Sequence, residues 1–538
     1  MFSCDRRRYN PVNARVRVGG LAALVRRSAA VVFALGLGGC QVAAQLPQAG
    51  DGRSLTSSRS VIVQLFEWRW SDVAQECESW LGPHGYGAVQ ISPPHEHRVI
   101  DEGSTRFPWQ QRYQPVSYQL SSRSGSRSEL ADMVSRCHRA GVKIYADIVI
   151  NHMASAGAGK GSGGSHFDTA KFAYDGVPYT QSDFHPPCAI EPKDYVEEPW
   201  RVQNCQLSGQ QDLDTGSDKV QAAIAAAMNE LLELGVAGFR IDAAQHIPPE
   251  HLARILRSLH PLNTEFHTNG GRPFVYQEVP DKGAEAIKAK NYFSNGAVTE
   301  FRYGRHLGEQ VRHGQLKNLM LFGEAWGLMP SHKAVVFTDN PKTQRSGDRN
   351  ITTFYAPADE GASYRLANVF MLAWPYGMPK VMSSYDWPRE QGPLVGPPAD
   401  DQGQTLPVSC DDGWVCEHRW SDIANMVEFR NVTQGAISVN HWWDNGNNQI
   451  AFARGERGFV VINNEDTVLS ETLMTGLPAG IYCNVLAESS VADVADNSAA
   501  ESTMVSCENE AIEIDPLGNA YIEVSPYRAL ALHIGARI

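Results

Sequence analysis

Residues 220–242 read VQAAIAAAMNELLELGVAGFRID, and this stretch contains both kinds of secondary structure from which we predict the fold. Apolar side chains recur at helical spacing over 220–234, which predicts a helix with one buried face. The apolar run 236–241 predicts a buried strand, and Asp242 follows it directly. A helix that leads into a buried strand with a polar carboxyl end is typical of a parallel α/β sheet.

The same alternation continues outward along the chain. Buried strands are predicted over 61–66, 87–91 and 142–150, and helices over 71–81 and 130–140. Repeated strand–helix units of this length, with polar residues at the strand ends, are typical of a (β/α)8 TIM barrel. The predicted fold class is therefore α/β.

Polar residues at the strand ends form the candidate site. They lie in the segments DIVINH (147–152), GFRIDA (238–243), YQEV (276–279) and FTDN (337–340). The carboxyl ends of barrel strands converge on one face, where catalytic residues lie. A single strand-end carboxylate is more often a cap or a solvated residue, but Asp242 and Glu278 both occupy such positions. Retaining glycoside hydrolysis uses two carboxyl groups about 5–5.5 Å apart, so this pair predicts glycosidase chemistry.

Two regions depart from the alternation. A Gly/Ser/Ala-rich run at 154–165, followed by a polar segment with two cysteines, predicts an irregular subdomain inserted after a barrel strand. Short apolar runs at 449–453, 458–463 and 520–524 predict an antiparallel all-β tail. The predicted division is a signal peptide with the start of a linker (1–44), a linker (45–60), barrel domain A (61–151 and 214–438), an inserted domain B (152–213) and a C-terminal β domain (439–538).

The composition and the N-terminus indicate where the protein acts. The 538 residues carry a net charge of −13, which argues against nucleic acid or an anionic membrane surface as a partner. Seven arginines precede the apolar run 28–39, which is too short to span a bilayer and predicts an export signal. The run ends at Cys40 in a sequence that resembles a bacterial lipoprotein cleavage box, and ordinary cleavage after Ala44 is the alternative. We therefore predict an exported protein, either anchored by lipid at the periplasmic or cell surface or secreted.

The cysteine count is consistent with export. The chain has ten cysteines, of which Cys4 would be removed with the signal and Cys40 would carry the lipid. The remaining eight allow four disulfides in an oxidising compartment, although the sequence alone leaves their pairing open.

Five further motifs are more specific. They are LFEWRW (65–70), VQISPP (89–94), RYQPVSY (112–118), VMSSY (381–385) and WVCEHRW (414–420). From about residue 61 to its end the chain resembles the animal-type α-amylases, a branch also found in bacteria, of the α-amylase glycoside hydrolase family. The resemblance implies a barrel with an inserted domain B and a C-terminal antiparallel β-sandwich, and retaining endo-hydrolysis of α-1,4-glucosidic bonds in starch- or glycogen-type polysaccharide. It also implies the disulfides Cys77–Cys137, Cys188–Cys205, Cys410–Cys416 and Cys483–Cys507.

The resemblance assigns roles to residues at matching positions. Asp242 would be the nucleophile and Glu278 the acid/base, whose pKa should be raised so that it can protonate the leaving oxygen. Arg240 would keep Asp242 ionised, because a nearby cation favours the charged carboxylate. The implied substrate-binding residues are Trp109, Tyr113, His152, Arg240 and His246. Core packing is the alternative for the two aromatic residues, and we expect a monomer that acts on α-glucan polysaccharide or maltooligosaccharide.

A calcium ion is implied between the barrel and the insert. Its position matches Asn151, Gln203, Asp212 and the carbonyl group of His246. Oxygen ligands of this kind suit a hard cation. Since they come from both domains, calcium would hold the insert on the barrel.

The branch also often binds chloride near the acid/base. Arg240 and Asn340 match two of the chloride ligands. The third ligand, a basic residue, is expected within 361–365, where Ala362 occupies the position and Arg365 is the substitute.

The fourth strand-end segment departs from the family pattern. Lys342 stands where the family has a third acid, Pro341 where it has a substrate-binding histidine, and Gln110 where a second tryptophan is common. The acid would keep Glu278 protonated by repulsion between like charges, whereas a lysine favours ionised Glu278. Two unit charges about 5 Å apart interact by roughly 3 kcal/mol at an effective dielectric constant near 20, which is about a hundredfold in rate.

Three interpretations remain open. The first is an α-amylase with weak or altered activity, in which Asp348 could replace the missing acid. The second is a catalytically lapsed lipoprotein that binds α-glucan at the cell surface. The third is a hydrolase of another α-linked sugar, whose anionic substituent pairs with Lys342. We favour the first because Asp242, Glu278 and the calcium ligands are retained.

Overall fold

The computed structural model describes residues 59–103, 105–355, 361–410, 412–487, 507 and 510–538. The predicted signal peptide, the lipid attachment at Cys40 and the linker up to residue 58 lie outside the described residues. Within these ranges, no helix combines the length and the apolar character that crossing a membrane requires.

Eight parallel strands close into a barrel, in which each strand pairs with the next in the chain and the last pairs with the first. The strands are β1 (Ile62–Leu65), β2 (Ala88–Ile91), β3 (Lys143–Ile148), β4 (Gly238–Ile241), β5 (Phe274–Gln277), β6 (Ala297–Thr299), β7 (Ala334–Val336) and β8 (Met378–Ser383). The predicted TIM barrel is confirmed.

Helices cover the barrel, so the strands are buried on both faces, and their sequences are mostly apolar, interrupted by polar residues such as Asp147, Arg240 and Lys380. The covering α-helices are Trp70–Glu76, Arg127–Arg139, Asp218–Glu233, Pro249–Arg257, Phe301–Arg312, Ala362–Ala373 and Ser421–Val432. The predicted helix at 71–81 is α-helical only to Glu76 and continues as a wider π turn, Cys77–Leu81. The predicted strand at 142–150 ends at Ile148, because the next backbone N–H, that of Val149, donates to the ring of His95.

The insert leaves the barrel after β3 and is largely irregular. Strand His152–Ser155 pairs with Gln210–Asp212, and Ala158–Lys160, His166–Asp168 and Ala173–Tyr174 form a second small sheet. Two short helices follow, Asp194–Glu197 and Pro199–Asn204. The Gly/Ser-rich run is held by buried Glu96, whose carboxylate accepts from the backbone N–H groups of Gly163 and Ser165.

The C-terminal region is an antiparallel β-sandwich, as predicted. One sheet consists of Val439–Asp444, Gln449–Arg454, Gly458–Asn463 and Arg528–His533. Leu469–Met474 pairs with Asn519–Val524, and Gly480–Cys483 pairs with Ala511–Ile514. In the first sheet Phe459 and Val461 face the other strands, whereas Val460 and Ile462 pack towards the barrel. Both faces of this sheet are buried, which explains the weak alternation in its sequence.

Four disulfides are present: Cys77–Cys137, Cys188–Cys205, Cys410–Cys416 and Cys483–Cys507. They are the pairs that the resemblance implies. Disulfides persist in oxidising compartments, which agrees with an exported protein.

Candidate active site

A pocket of about 420 Å³ lies at the carboxyl ends of the barrel strands. The following residues named from the sequence line it: Trp109, Gln110, Tyr113, His152, Arg240, Asp242, Glu278, Asn340, Pro341 and Lys342. The barrel therefore brings together side chains from four strand ends and from the insert.

Arg240, in β4, joins three carboxylates at this pocket. One terminal nitrogen, Nη1, lies 2.6 Å from Asp147 Oδ1 and 2.7 Å from Asp242 Oδ1. The other, Nη2, lies 2.8 Å from Glu278 Oε2, which also accepts from the backbone N–H of Ala243 at 2.9 Å. The planar guanidinium presents its N–H groups in a fixed fork, so it sets the positions of Asp242 and Glu278 relative to each other.

Asp147 has a part in this arrangement that sequence reasoning did not assign. Its side chain is fully buried, and the hydroxyl group of Tyr113 donates to Asp147 Oδ2 at 3.0 Å. Asp147 is directly opposite Arg240 in the pairing of β3 with β4. A sequence feature could have indicated this role. It is an acid within an apolar strand, at the same height as an arginine in the neighbouring strand.

The protonation of the two central carboxyl groups differs from what the family pattern implies. Burial, together with repulsion from Glu278 and Asp147, raises the pKa of Asp242 to about 8, because Arg240 is shared among three acids. Burial also acts to raise the pKa of Glu278, but Arg240, Lys342 and the Ala243 N–H outweigh it and lower this pKa. These two pKa shifts run opposite to the directions that the resemblance implies for Asp242 and Glu278.

Lys342 lies on a short helix, Pro341–Gln344, that follows β7. The side chain of Asn340 accepts from the backbone N–H groups of Lys342 and Thr343 at 3.0 and 2.8 Å, which caps the helix. Gln344 donates to Asp339 Oδ2 and to Ser384 Oγ, both at 2.7 Å. The helix is thus fixed at both ends, while the Lys342 side chain is exposed and lines the pocket.

Asp348 does not replace the missing acid. It is exposed, and its carboxylate accepts from the backbone N–H of Asn350 within the same turn. It is not among the described residues that line the pocket, so this part of the first interpretation is wrong.

Trp109 and Tyr113 fit both roles that the sequence left open, substrate binding and core packing. Each is half-buried against the core, with ring centroids 5.8 Å apart in an edge-to-face arrangement. Each also lines the pocket. The indole N–H of Trp109 donates to the carbonyl group of Pro393 at 3.0 Å, which fixes the orientation of the ring.

The two predicted histidines differ in position. His152 lines the pocket, its Nε2 lies 3.0 Å from the carbonyl oxygen of Tyr113, and burial lowers its pKa to about 4, so the ring is neutral. The ring of His246 is buried, with Nδ1 2.8 Å from the carbonyl oxygen of Val202. His246 is absent from the described lining, and contact of its side chain with substrate stays a prediction.

Two family profiles match the chain. The profile "Alpha amylase, catalytic domain" matches residues 105–387, and "Alpha amylase, C-terminal all-beta domain" matches residues 441–535. The chain belongs to the α-amylase family. Known proteins similar to this α-amylase family member include the α-amylase of Oryzias latipes, 47% identical over 464 residues that cover 82% of this chain and 88% of the relative. Human α-amylase 1B is 48% identical over 452 residues, which cover 80% and 87% of the two chains.

Solved structures of α-amylases also match this chain. Eisenia fetida α-amylase I matches with a TM-score of 0.81 and 43% identity, over 89% of this chain and 97% of that one. A mutant of the same earthworm enzyme, solved with maltohexaose, matches equally well. A γ-CGTase from an alkalophilic Bacillus clarkii matches with a TM-score of 0.61 at 16% identity, which shows a shared fold alone.

Two of the predicted calcium ligands, Asn151 and Asp212, meet between the barrel and the insert. Asn151 Nδ2 donates to Asp212 Oδ1 at 3.2 Å, and both side chains are buried. The bond from the His246 ring to Val202 brings the neighbouring Gln203 close to His246. Burial raises the pKa of Asp212 to about 6, and a cation would offset that cost, so the oxygens present fit calcium.

His185 is the residue that sequence reasoning missed here. Its Nδ1 lies 2.7 Å from Asp212 Oδ2. The described residues contain no cluster of three or more His, Cys, Asp or Glu side chains suited to a metal ion, so carbonyl and amide oxygens would have to complete the site.

A basic residue outside 361–365 lies in the pocket. Arg365 pairs with Asp422 at 3.0 Å and lies over the ring of Trp420, away from the pocket, so the expectation for 361–365 is wrong. Lys380, in β8, lines the pocket together with Arg240. The sequence feature that could have identified Lys380 is a lysine within a buried strand.

Within the described part of the chain, the direct hydrogen-bonding partners of Lys380 are neutral. Its Nζ donates to the amide oxygens of Gln64 and Gln90 at 2.8 and 3.0 Å. Burial, with a contribution from Arg240, lowers its pKa to about 7.

Proposed function

We propose that this chain is a retaining endo-hydrolase of α-1,4-glucosidic bonds in starch- or glycogen-type polysaccharides. The observation that carries the proposal is the arginine fork of Arg240, which places Asp242 and Glu278 side by side in a pocket walled by Trp109 and Tyr113. The names of the similar proteins, and the maltohexaose bound to a mutant of the earthworm enzyme, support the substrate class.

The roles follow from the chemistry of retention. Asp242 attacks the anomeric carbon while Glu278 protonates the leaving oxygen, and Glu278 then takes a proton from the water that releases the sugar. Arg240, held by Asp147, positions both carboxyl groups. His152, as a neutral ring, is a candidate hydrogen-bonding partner for sugar hydroxyls.

Activity is expected to be weak because Lys342 stands where the family pattern has its third acid. The reaction needs ionised Asp242 and protonated Glu278, whereas burial and the nearby charges favour the reverse. Lys342 contributes to this by stabilising ionised Glu278. Its positive charge also opposes the positive charge that develops on the sugar in the transition state.

The alternative function is a catalytically lapsed protein that binds α-glucan at the cell surface. The observation that favours it is Lys342 itself, which a well-fixed helix presents to the pocket in place of an acid. In this alternative the aromatic walls bind glucan and the carboxyl groups no longer act.

The proposal also includes a calcium ion, a chloride ion and a cellular location. Calcium would be held by Asn151, Asp212 and the carbonyl groups of Gln203 and His246, and would join the insert to the barrel. Chloride would lie near Arg240, Asn340 and Lys380, where it would supply a compensating negative charge. The protein would be an exported monomer, either anchored by a lipid on Cys40 or free after cleavage at Ala44. Its domains would have the boundaries predicted from the sequence.

Release of reducing sugar from soluble starch tests the proposal. Wild-type protein, Glu278→Gln and Lys342→Asp are assayed side by side with calcium and chloride present. Weak wild-type activity that disappears in Glu278→Gln supports the hydrolase. An inactive wild type that still binds maltoheptaose, with activity gained in Lys342→Asp, would establish the lapsed binding protein instead.

A further inference from the structure

The charged side chains that line the pocket differ in how their charges are compensated. Arg240 contacts three carboxylates, and the ammonium of Lys380 is buried against two amide oxygens. Lys342 is exposed, and among the described residues no carboxylate lies within 4.0 Å of its ammonium, the limit for an ion pair. The pocket therefore presents a solvent-accessible positive charge beside the carboxyl pair.

The backbone that carries this charge is held in place. Pro341 begins the helix, the Asn340 side chain caps it, and Gln344 anchors its last turn. Arg345 donates to the carbonyl group of Pro341 at 2.9 Å, and its guanidinium lies 3.9 Å from the ring centroid of Trp387. Since the backbone of Lys342 is already fixed, a ligand that binds there has to order the side chain but not the backbone.

We propose that Lys342 makes this pocket select α-glucans that carry an anionic substituent, a phosphate ester or a carboxylate, next to the bond held by Asp242 and Glu278. The inference rests on the proposed function in one respect, that the same pocket binds α-glucan. It adds the substrate class that a neutral-starch enzyme would not require.

The anion would also offset the effect of Lys342 on the protonation of Glu278. A phosphate paired with Lys342 offsets the positive charge near Glu278, so Glu278 is protonated more readily. The substrate then provides the negative charge that the third acid provides in the family pattern. Cleavage, and not only binding, should therefore favour the charged substrate.

The net charge of the chain opposes this only weakly. The whole chain carries −13, which repels an anion at long range. At physiological ionic strength, charges further than about 8 Å apart are largely screened, whereas an ion pair formed in direct contact is screened much less. The local cation therefore decides the preference, and added salt should reduce it.

Isothermal titration calorimetry with four probes tests the inference. The probes are maltoheptaose, maltoheptaose bearing phosphate monoesters, the same oligosaccharide bearing carboxylates, and inorganic phosphate alone. An Asp242→Asn background prevents cleavage, and Lys342→Met and Lys342→Asp are compared with the unchanged Lys342 in that background. Lys290→Asp is the matched control, because Lys290 is exposed and is not part of the described pocket lining.

The expected result is a roughly ten- to hundredfold tighter Kd for an anionic oligosaccharide than for maltoheptaose, as for a hydrogen bond between charged groups. The preference should vanish in Lys342→Met, reverse in Lys342→Asp, and persist in the control. The phosphate and carboxylate arms show which anion is preferred.

Equal affinities, or a preference that persists in Lys342→Met, would overturn the inference. So would inorganic phosphate binding as tightly as the charged oligosaccharide, since the glucan would then contribute nothing. Hydrolysis of neutral maltoheptaose by the unmodified enzyme is measured separately. Neutral cleavage without a charge preference leaves the proposed hydrolase standing, and charge-selective binding without any cleavage leaves only this inference standing.

Discussion

Two neighbouring parts of the same barrel face differ in how their charged side chains are paired. At the ends of β3, β4 and β5, one arginine contacts three carboxylates, two of them buried and that of Glu278 partly exposed, at 2.6 to 2.8 Å. After β7, the backbone is equally well fixed, but the charge it presents is an exposed lysine without an ion pair among the described residues. The change at Lys342 is thus chemical and not structural, because the caps that support the segment are intact.

The difference separates two properties of the site. The Arg240 cluster sets geometry, because a shared guanidinium keeps the carboxyl groups in place whatever their protonation. The Lys342 segment adjusts the proton affinity of one of them, because its charge, after that of Arg240, lowers the pKa of Glu278 through space. Variants in the two regions should therefore fail in different ways.

The largest effect is expected from Glu278→Gln. The glutamine keeps the shape but cannot transfer a proton, so kcat/KM should fall by about 10²- to 10⁴-fold. A chromogenic maltooligosaccharide provides the rate, and circular dichroism checks the fold. Glu265→Gln, an exposed glutamate outside the described pocket lining, is the control and should leave the rate unchanged. A Glu278→Gln variant that kept more than a tenth of the activity would remove Glu278 from the mechanism.

The next effect tests the geometry directly through Arg240→Met. Removing the cation leaves buried carboxylates without a partner, so the free energy of unfolding at neutral pH should fall by about 3–5 kcal/mol. Urea denaturation measures it. Arg365→Met is the matched control, since the ion pair of Arg365 with Asp422 is partly exposed and should be worth less than about 1 kcal/mol. Equal losses in the two variants would show that the Arg240 cluster is no stronger than a surface pair.

Much of the fold could be predicted because its signals are local. The strand at 236–241 and its terminal Asp242 are recognisable from apolar runs and their ends, and the same holds for Glu278 after β5. These residues needed only the rule that strand ends converge. The C-terminal sheet gave a weaker signal because both of its faces are buried, so its sequence does not alternate.

The missing parts of the site depend on contacts between distant residues. Lys380 binds Gln64 and Gln90, which are about 300 positions away in the chain, and no local pattern indicates that contact. The opposite pKa shifts of Asp242 and Glu278 arise in a cluster in which one arginine is shared by three acids. Single-residue roles could be carried over from a resemblance, but this sharing could be seen only in three dimensions.

Lys342→Asp should sharpen the comparison through a gain of function. The substitution replaces attraction for ionised Glu278 with repulsion, so hydrolysis of neutral maltoheptaose should rise by about a hundredfold. Lys290→Asp changes the net charge equally and should have no such effect. If both variants gave the same small change, Lys342 would act only through the overall charge of the protein.

The smallest effect, from Lys342→Met, depends on the order in which the two carboxyl groups titrate. With the pKa of Glu278 lowered and that of Asp242 near 8, the productive form, ionised Asp242 with protonated Glu278, is a minor species between the two values. Its share is constant across that window. It falls below the pKa of Glu278, where both groups are protonated, and above that of Asp242, where both are ionised.

Removing the positive charge of Lys342 raises the pKa of Glu278 and therefore moves the acidic limb of the kcat/KM profile to higher pH. The plateau rises at the same time, by about tenfold for each unit of pKa, because the share of the productive form depends on the difference between the two values. A profile measured from pH 3 to pH 9 gives both quantities. If Glu278 were instead the group with the higher pKa, the same variant would move the alkaline limb and leave the plateau unchanged, so the limb that moves decides which carboxyl group carries the proton in the free enzyme.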